Sequence, residues 1–390
     1  MPSRMRVGIV FGGRSVEHEV SLVSARAVIA NLDPARFEIV PIGITKEGRW
    51  VTASDPQILL QGGPGKGGLT ERRLVELKGA RPAALTGDPG VHGLLSTVVP
   101  AGAPPSADAG PLDVVFPIVH GPLGEDGTIQ GLLELAGIPY VGAGVAASAI
   151  GMDKALMKEI FAAKGLPVTR HEVYLRSRIR QDANGTAREA LEKLTLPVFV
   201  KPANGGSSVG VFKVSEAGRL PQALASAASY DRKVLVEEGV AAREVECAVL
   251  GNDQPETSIV GEIVPSNEFY DYDAKYIDGR SKLIVPADLS PAQAERVRTL
   301  AAAAFRAIDA AGMARVDFFV RRSDGAIILN EVNTIPGFTP ISMYPRLWAA
   351  SGVSFPQLVE KLIALALERQ RDRDESTRSL GAEVGGRQEG

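Results

Sequence analysis

Cysteine occurs once in 390 residues, at Cys247, so no disulfide can form within the chain. No apolar run approaches the roughly 18 to 20 residues that a bilayer-spanning helix needs. The apolar stretch Val7 to Phe11 is too short for a signal h-region and is followed by Glu17, His18 and Glu19. Charge of one sign is also missing: 43 Lys and Arg stand against 46 Asp and Glu, and the scattered basic residues leave no electrostatic footprint for a polyanion. A Walker A order, GxxxxGK[ST], is absent as well. These absences predict a cytoplasmic protein with no membrane and no nucleic-acid partner, in which Cys247 is a small buried hydrophobe on a strand.

What is present is a chain 45% hydrophobic and 23% charged, long enough for two or three globular domains. Arg6 to Phe11 reads as a strand, Gly12 to Ser15 as a turn and Val16 to Leu32 as a helix, together half of a βαβ unit. Phe37 to Ile44 is a second strand. Residues 46–111 are rich in Gly and Pro and read as a surface excursion with a few local strands. Leu112 to Val119 is a buried strand that leads through HGPLGEDG to a helix from Thr128 to Ala136. Another helix begins at Met152-Asp153-Lys154, and a lysine there opposes the helix dipole unless an anion accompanies it; plain solvated surface is the alternative.

Leu196 to Val200 is a strand ending in KPANGGSSVGV, where glycine amides, the hydroxyls of Ser207 and Ser208 and the charge of Lys201 suit a phosphate. Val234 to Glu238 and Glu244 to Leu250 form an interrupted pair of strands, and Asn267 to Arg280 is polar, aromatic and irregular, as loops covering active sites often are. Helices are expected from Ser290 to Ala311, with Ser290 as N-cap and Pro291 at N1, and from Phe355 to Arg371.

Val316 to Val320 and Ala326 to Val332 read as a hairpin across Arg321 to Gly325. Side chains alternate along a strand, so Arg315, Asp317, Leu329, Glu331 and Asn333 are expected on one face. If Val320 pairs with Ala326, Arg315 lies opposite Glu331 and Asp317 diagonal to it. Magnesium takes oxygen ligands, one or two carboxylates completed by waters and phosphates, and Asp317, Glu331 and Asn333 fit that pattern. A solvated face bearing an Arg-Glu pair is the alternative. The turn Thr334 to Thr339 follows directly and can bring backbone amides to an anion.

The run LNEVNTIPGFTPIS, with ARVDFF before it, resembles the metal and substrate segment of the D-alanine:D-alanine ligases of the ATP-grasp superfamily. GGRSVEHEVS, HGPLGEDG, MDK, KPANGGSSVG and AKY occur in the family's order. The resemblance implies an α/β (α+β) fold in three domains: an N-terminal α/β parallel-sheet domain over 1–144, a central domain over 145–240 and a C-terminal catalytic domain over 241–371. The nucleotide would lie between the last two, and 372–390 would be a tail. It also implies ATP and two Mg2+ ions, with Mn2+ as a substitute, D-alanine as substrate and a homodimer. By resemblance, Glu17, Ser207 and Tyr276 form a hydrogen-bonded set around the first D-alanine, and Arg315 with the Gly337 amide faces the oxyanion. Ser342 and Met343 hold the second carboxylate. Lys154, Lys201 and Lys275 meet phosphates, Glu237 and Val240 hold adenine, and Glu244 takes the ribose. His120 orients substrate or serves as scaffold; Glu17 and Glu244 have dipole and surface-strand alternatives. D-Lactate as second substrate, another ATP-grasp ligase and a non-enzymatic nucleotide-binding module are the competing functions.

Overall fold

Strand β1 (Met5–Gly12) is buried along most of its length on both faces, the condition under which a strand reads as a continuous apolar run. It pairs in parallel with β2 (Phe37–Ile44), Met5 opposite Phe37, and with β6 (Val114–Ile118), Val7 opposite Val114. The computed structural model describes residues 4–60, 68–70, 72, 77–96, 110–264 and 282–376. Within the described part of 46–111, β3 (Trp50–Thr52), β4 (Arg81–Leu85) and β5 (Leu94–Ser96) continue this sheet antiparallel, in the order β5-β4-β3-β2-β1-β6. The excursion thus contributes an edge to the first sheet.

A second sheet is antiparallel, ordered β7-β10-β8-β9, from β7 (His171–Leu175), β8 (Val198–Pro202), β9 (Phe212–Val214) and β10 (Lys233–Glu238). The third is β13-β12-β11-β14-β15, from β11 (Ala242–Gly251), β12 (Glu256–Val264), β13 (Lys282–Ile284), β14 (Gly312–Arg321) and β15 (Ile327–Asn333). Helix Pro291–Ala307 covers one face of it through Val297, Leu300, Ala301, Ala304 and Phe305. Its start is a capping box between Ser290 and Gln293 with Pro291 in the first turn. Cys247 is fully buried in the same core.

The C-terminal helices Met343–Ala350 and Phe355–Asp374 tie the third sheet to the first. Phe338 stacks edge-on against Phe116 at 5.8 Å and Phe355 at 5.8 Å, and Tyr344, Leu347, Trp348, Leu358 and Leu362 fill the same core. Among the described residues, no single helix is long and apolar enough to cross a membrane.

Candidate active site

The acidic hairpin differs from its sequence reading in register, and the difference shapes the site. The turn closes with Arg321 N–H donating to Ala326 O at 2.8 Å and Gly325 at φ +71°, so Val320 pairs with Ile327 and not with Ala326. A bulge then inserts Asn330: Phe318 pairs with Leu329, but Asp317 pairs with Glu331 and Arg315 with Asn333. Two expectations are corrected. Glu331 lies directly opposite Asp317, with Arg315 opposite Asn333, and Leu329 turns into the core beside Val316 and Phe318 while Asn330 and Glu331 both line the cleft.

On that face Arg315 binds Asp317 through two bonds, Nε to Oδ1 at 2.8 Å and Nη2 to Oδ2 at 2.7 Å, and its Nε lies 3.0 Å from Glu246 Oε2. Burial disfavours the guanidinium charge, but Asp317 and Glu246 outweigh it and hold the Arg315 pKa well above its ordinary value. Asn333 Nδ2 donates to Asp317 Oδ2 at 3.0 Å, so Oδ1 is the atom it can offer a cation. Glu331 lies 3.5 Å from Lys154 Nζ, which also donates to Gly205 O at 2.8 Å. Glu246 was missed in the sequence. Its signal was the spacing Glu244-Val245-Glu246, which puts two carboxylates on one face of β11.

Lys154 is placed by its neighbour. Asp153 is the N-cap of helix Lys154–Ala163, a correction to the expected start at Met152, and accepts from the amides of Ala155 and Leu156. The same carboxylate binds Lys233 and Asn204, while Lys154 N–H donates to Ala203 O at 2.9 Å. The helix start and the glycine-rich loop are therefore one unit. In that loop Ser207 and Ser208 adopt φ +50° and +58°, and Ser207 Oγ donates to Glu17 Oε1 at 2.5 Å. A Cβ on Gly206 would stand 2.7 Å from Glu17 Oε2, so the absence of a side chain there lets loop and carboxylate meet.

His120 is buried, with both ring nitrogens engaged: Nδ1 lies 3.1 Å from Ile335 O and Nε2 lies 3.0 Å from Ser24 Oγ. A carbonyl only accepts, so Nδ1 carries the hydrogen and Nε2 accepts from Ser24. Burial lowers the His120 pKa, in keeping with a neutral ring. Ser24 Oγ also accepts from Phe338 N–H at 3.3 Å, and Glu125 accepts from the amides of Gly121 at 2.6 Å and Ile335 at 3.1 Å. Burial, with Glu17 nearby, pushes the Glu125 carboxyl up to about 8. His120 and Glu125 thus hold the turn that carries Gly337. Ser342 caps helix Met343–Ala350 and accepts from Thr339 N–H at 3.0 Å; Ser342, Met343 and Gly337 all line the cleft.

Toward the second sheet, Lys201 and Ser208 line the cleft, as does Glu244. Glu237 and the half-buried Val240 do not line it. Glu237 is buried and binds Lys201, Lys158 and Thr169. Burial alone would raise its pKa, but the two ammonium groups prevail and keep it ionised, well below the usual carboxylate range. Lys158 and Thr169 were also missed, since a lysine in an amphipathic helix reads as surface. Lys275 and Tyr276 lie outside the described residues. The cleft holds about 470 Å3, within the range of small-molecule sites, and gathers Glu17, His120, Lys154, Lys201, Ser207, Ser208, Glu244, Arg315, Asp317, Glu331, Asn333, Gly337, Ser342 and Met343.

Comparison with known proteins finds relatives over most of the chain. The family description "D-ala D-ala ligase N-terminus" matches residues 6–143 and "D-ala D-ala ligase C-terminus" matches residues 160–364. A D-alanine--D-alanine ligase of Acetivibrio thermocellus is 48% identical over 95% of this chain and 98% of its own length. One from Ruminiclostridium cellulolyticum is 48% identical over 97% and 100%. Among solved structures, the D-alanine-D-alanine ligase of Coxiella burnetii superposes with a TM-score of 0.81 at 36% identity, covering 95% of this chain and 96% of that one. The VanG D-Ala:D-Ser ligase of Enterococcus faecalis gives 0.80 at 36%, covering 93% and 100%.

Proposed function

The chain belongs to the D-alanine--D-alanine ligase family, has the ATP-grasp fold and joins two D-alanines at the expense of ATP, and from that premise we propose which of its groups do the work. The reaction runs through a D-alanyl phosphate: the first carboxylate attacks the γ-phosphate and releases ADP, and the deprotonated amine of the second D-alanine then attacks the activated carbonyl, expelling phosphate and losing a proton as the amide forms. Neither step needs a protein nucleophile. The protein's task is positioning and charge neutralisation, as in phosphoryl transfer generally.

The carrying observation is the direct pairing of Asp317 with Glu331 across two strands, in a cleft that also presents Lys154 and Lys201. Two carboxylates and an amide oxygen are the donor set of a hard divalent cation; among the described residues there is no cluster of three His, Cys, Asp or Glu, so waters and phosphates would complete the shell. We assign Mg2+, two ions with Mn2+ as a substitute, to Asp317, Glu331 and Asn333. Bound there, the metal would neutralise phosphate charge. Lys154 and Lys201, with Lys275, meet the phosphates alongside Ser208. Glu237 keeps Lys201 in place, while the backbone near Val240 takes adenine and Glu244 the ribose.

Glu17 and Ser207, with Tyr276, hold the ammonium of the first D-alanine. Among the described residues no group takes a hydrogen from Arg315 Nη1, so that edge and the Gly337 amide are available to the oxyanion, one such donor contributing about 2.7 to 4 kcal/mol. Ser342 and Met343 hold the second carboxylate, and His120 acts as a positioning residue. The division at 144/145 and 240/241, with nucleotide between the last two domains, and a homodimer complete the reading. Phosphate release with ATP, Mg2+ and a panel of D- and L-amino acids, with mass analysis of products, tests it in wild type and Glu331→Gln. D-Alanyl-D-alanine from wild type and nearly abolished turnover in the variant are expected. Variant turnover within about threefold of wild type at limiting Mg2+ would remove Glu331 from the metal set.

A further inference from the structure

Lys158 has no place in the roles above and does not line the cleft, yet it sits between the two halves of the nucleotide and metal machinery. Only 1% of its side chain is exposed. An ammonium in such a place is unfavourable unless its hydrogens find oxygen. They do: Glu237 Oε1 lies at 2.8 Å, Thr169 Oγ1 at 3.1 Å and Asn330 O at 3.2 Å. Three donors meet three acceptors, which leaves none for a phosphate.

The third acceptor is informative. Asn330 is the extra residue of the β15 bulge, the position whose ladder bonding a bulge disrupts. Its neighbours are also held from outside the hairpin. Leu329 N–H donates to Pro167 O at 2.7 Å, and Val332 N–H lies 3.4 Å from Met157 Sδ. Residues 157–169 thus grip β15 on both sides of the point where its side chains switch faces. Through Glu237 the same ammonium reaches Lys201.

We propose that Lys158 is a positioning residue: by holding the Asn330 carbonyl it fixes the bulge that aims Glu331 into the cleft, and by sharing Glu237 with Lys201 it keeps that lysine at the phosphate end. The inference rests on the reading of Glu331 as a metal carboxylate. Groups that orient a metal ligand without touching the metal are worth about 10- to 100-fold in metal affinity. Lys158→Met, which keeps the length and removes the charge, should therefore weaken Mn2+ by about tenfold or more.

The test is Mn2+ binding to the full chain in the presence of a non-hydrolysable ATP analogue, read by electron paramagnetic resonance, for wild type, Lys158→Met and Glu331→Gln. Weakening in both variants is the expected result. Weakening in Glu331→Gln alone, with Lys158→Met within about threefold of wild type, overturns the positioning role and leaves the metal assignment standing. Unchanged binding in Glu331→Gln overturns the metal assignment and this inference with it. Should Lys158→Met not fold, Lys158→Met/Glu237→Gln compared with Glu237→Gln asks the same question without an unpaired buried carboxylate. A double variant that binds Mn2+ as tightly as the single one would overturn the proposal.

Discussion

Arg315 and Asp317, two residues apart on β14, are joined by two hydrogen bonds of 2.8 and 2.7 Å, made through Nε and Nη2 of a guanidinium whose residue lines the cleft. The carboxylate thereby sets the plane of the arginine. Lysine cannot reproduce a planar fork that grips a carboxylate while presenting a further pair of donors.

Arg315→Lys is therefore expected to lower kcat by about 100- to 1000-fold, the scale of losing one oxyanion donor, with ATP binding retained. Phosphate release at saturating substrates, beside calorimetric binding of the nucleotide, checks this. A kcat within threefold of wild type would show that Arg315 does not face the reacting carbonyl.

Gly206→Ala tests the contact between the glycine-rich loop and Glu17. The new Cβ would stand 2.7 Å from Glu17 Oε2, closer than real Cβ contacts, so the Ser207 bond to Glu17 must break or lengthen. A hydrogen bond to a charged group is worth roughly 1.5 to 3 kcal/mol, so KM for the first D-alanine should rise about tenfold or more. An unchanged KM would mean that this contact plays no part in binding it.

Cys247 should be inert. It is fully buried on β11, and burial pushes its thiol up to about 12, so almost no thiolate exists at neutral pH. A thiol reagent is expected to leave turnover unchanged and to label one site only after denaturation. Labelling of the native protein on the timescale of the denatured one would contradict this.

Glu125 on one side and His18 with His120 on the other tie stability to pH in opposite senses. Glu125, raised to about 8, binds a proton in the fold that the unfolded chain lacks above about 4.5, so stability rises as pH falls through 8. Burial lowers the pKa of His18 and of His120 below the ordinary 6.5, so the unfolded chain takes up two protons first and stability falls below that pH. His18 needs its neutral form, with Nδ1 2.7 Å from Gly13 O and Nε2 accepting from Leu69 N–H at 2.9 Å. Unfolding midpoints from pH 5 to 8.5 decide it; a monotonic rise would mean that Glu125 is ionised in the fold.

Much of the site was legible in the sequence because it rests on short-range rules. Two-residue spacing puts Arg315 and Asp317 on one face whatever the rest of the chain does, and the glycines and hydroxyls of residues 205–210 announce a loop that can approach an anion. Strand and helix positions followed from periodicity, to within about two or three residues at most ends. What only the tertiary structure decided is how those pieces register. Periodicity is indifferent to a bulge, so the face of Leu329 and the partner of Asp317 were settled by contacts from residues 157–169, far away in the sequence. The buried Lys158 and the His120 ring closed on Ile335 and Ser24 were invisible for the same reason: a polar side chain reads as exposed until its acceptors arrive from other elements.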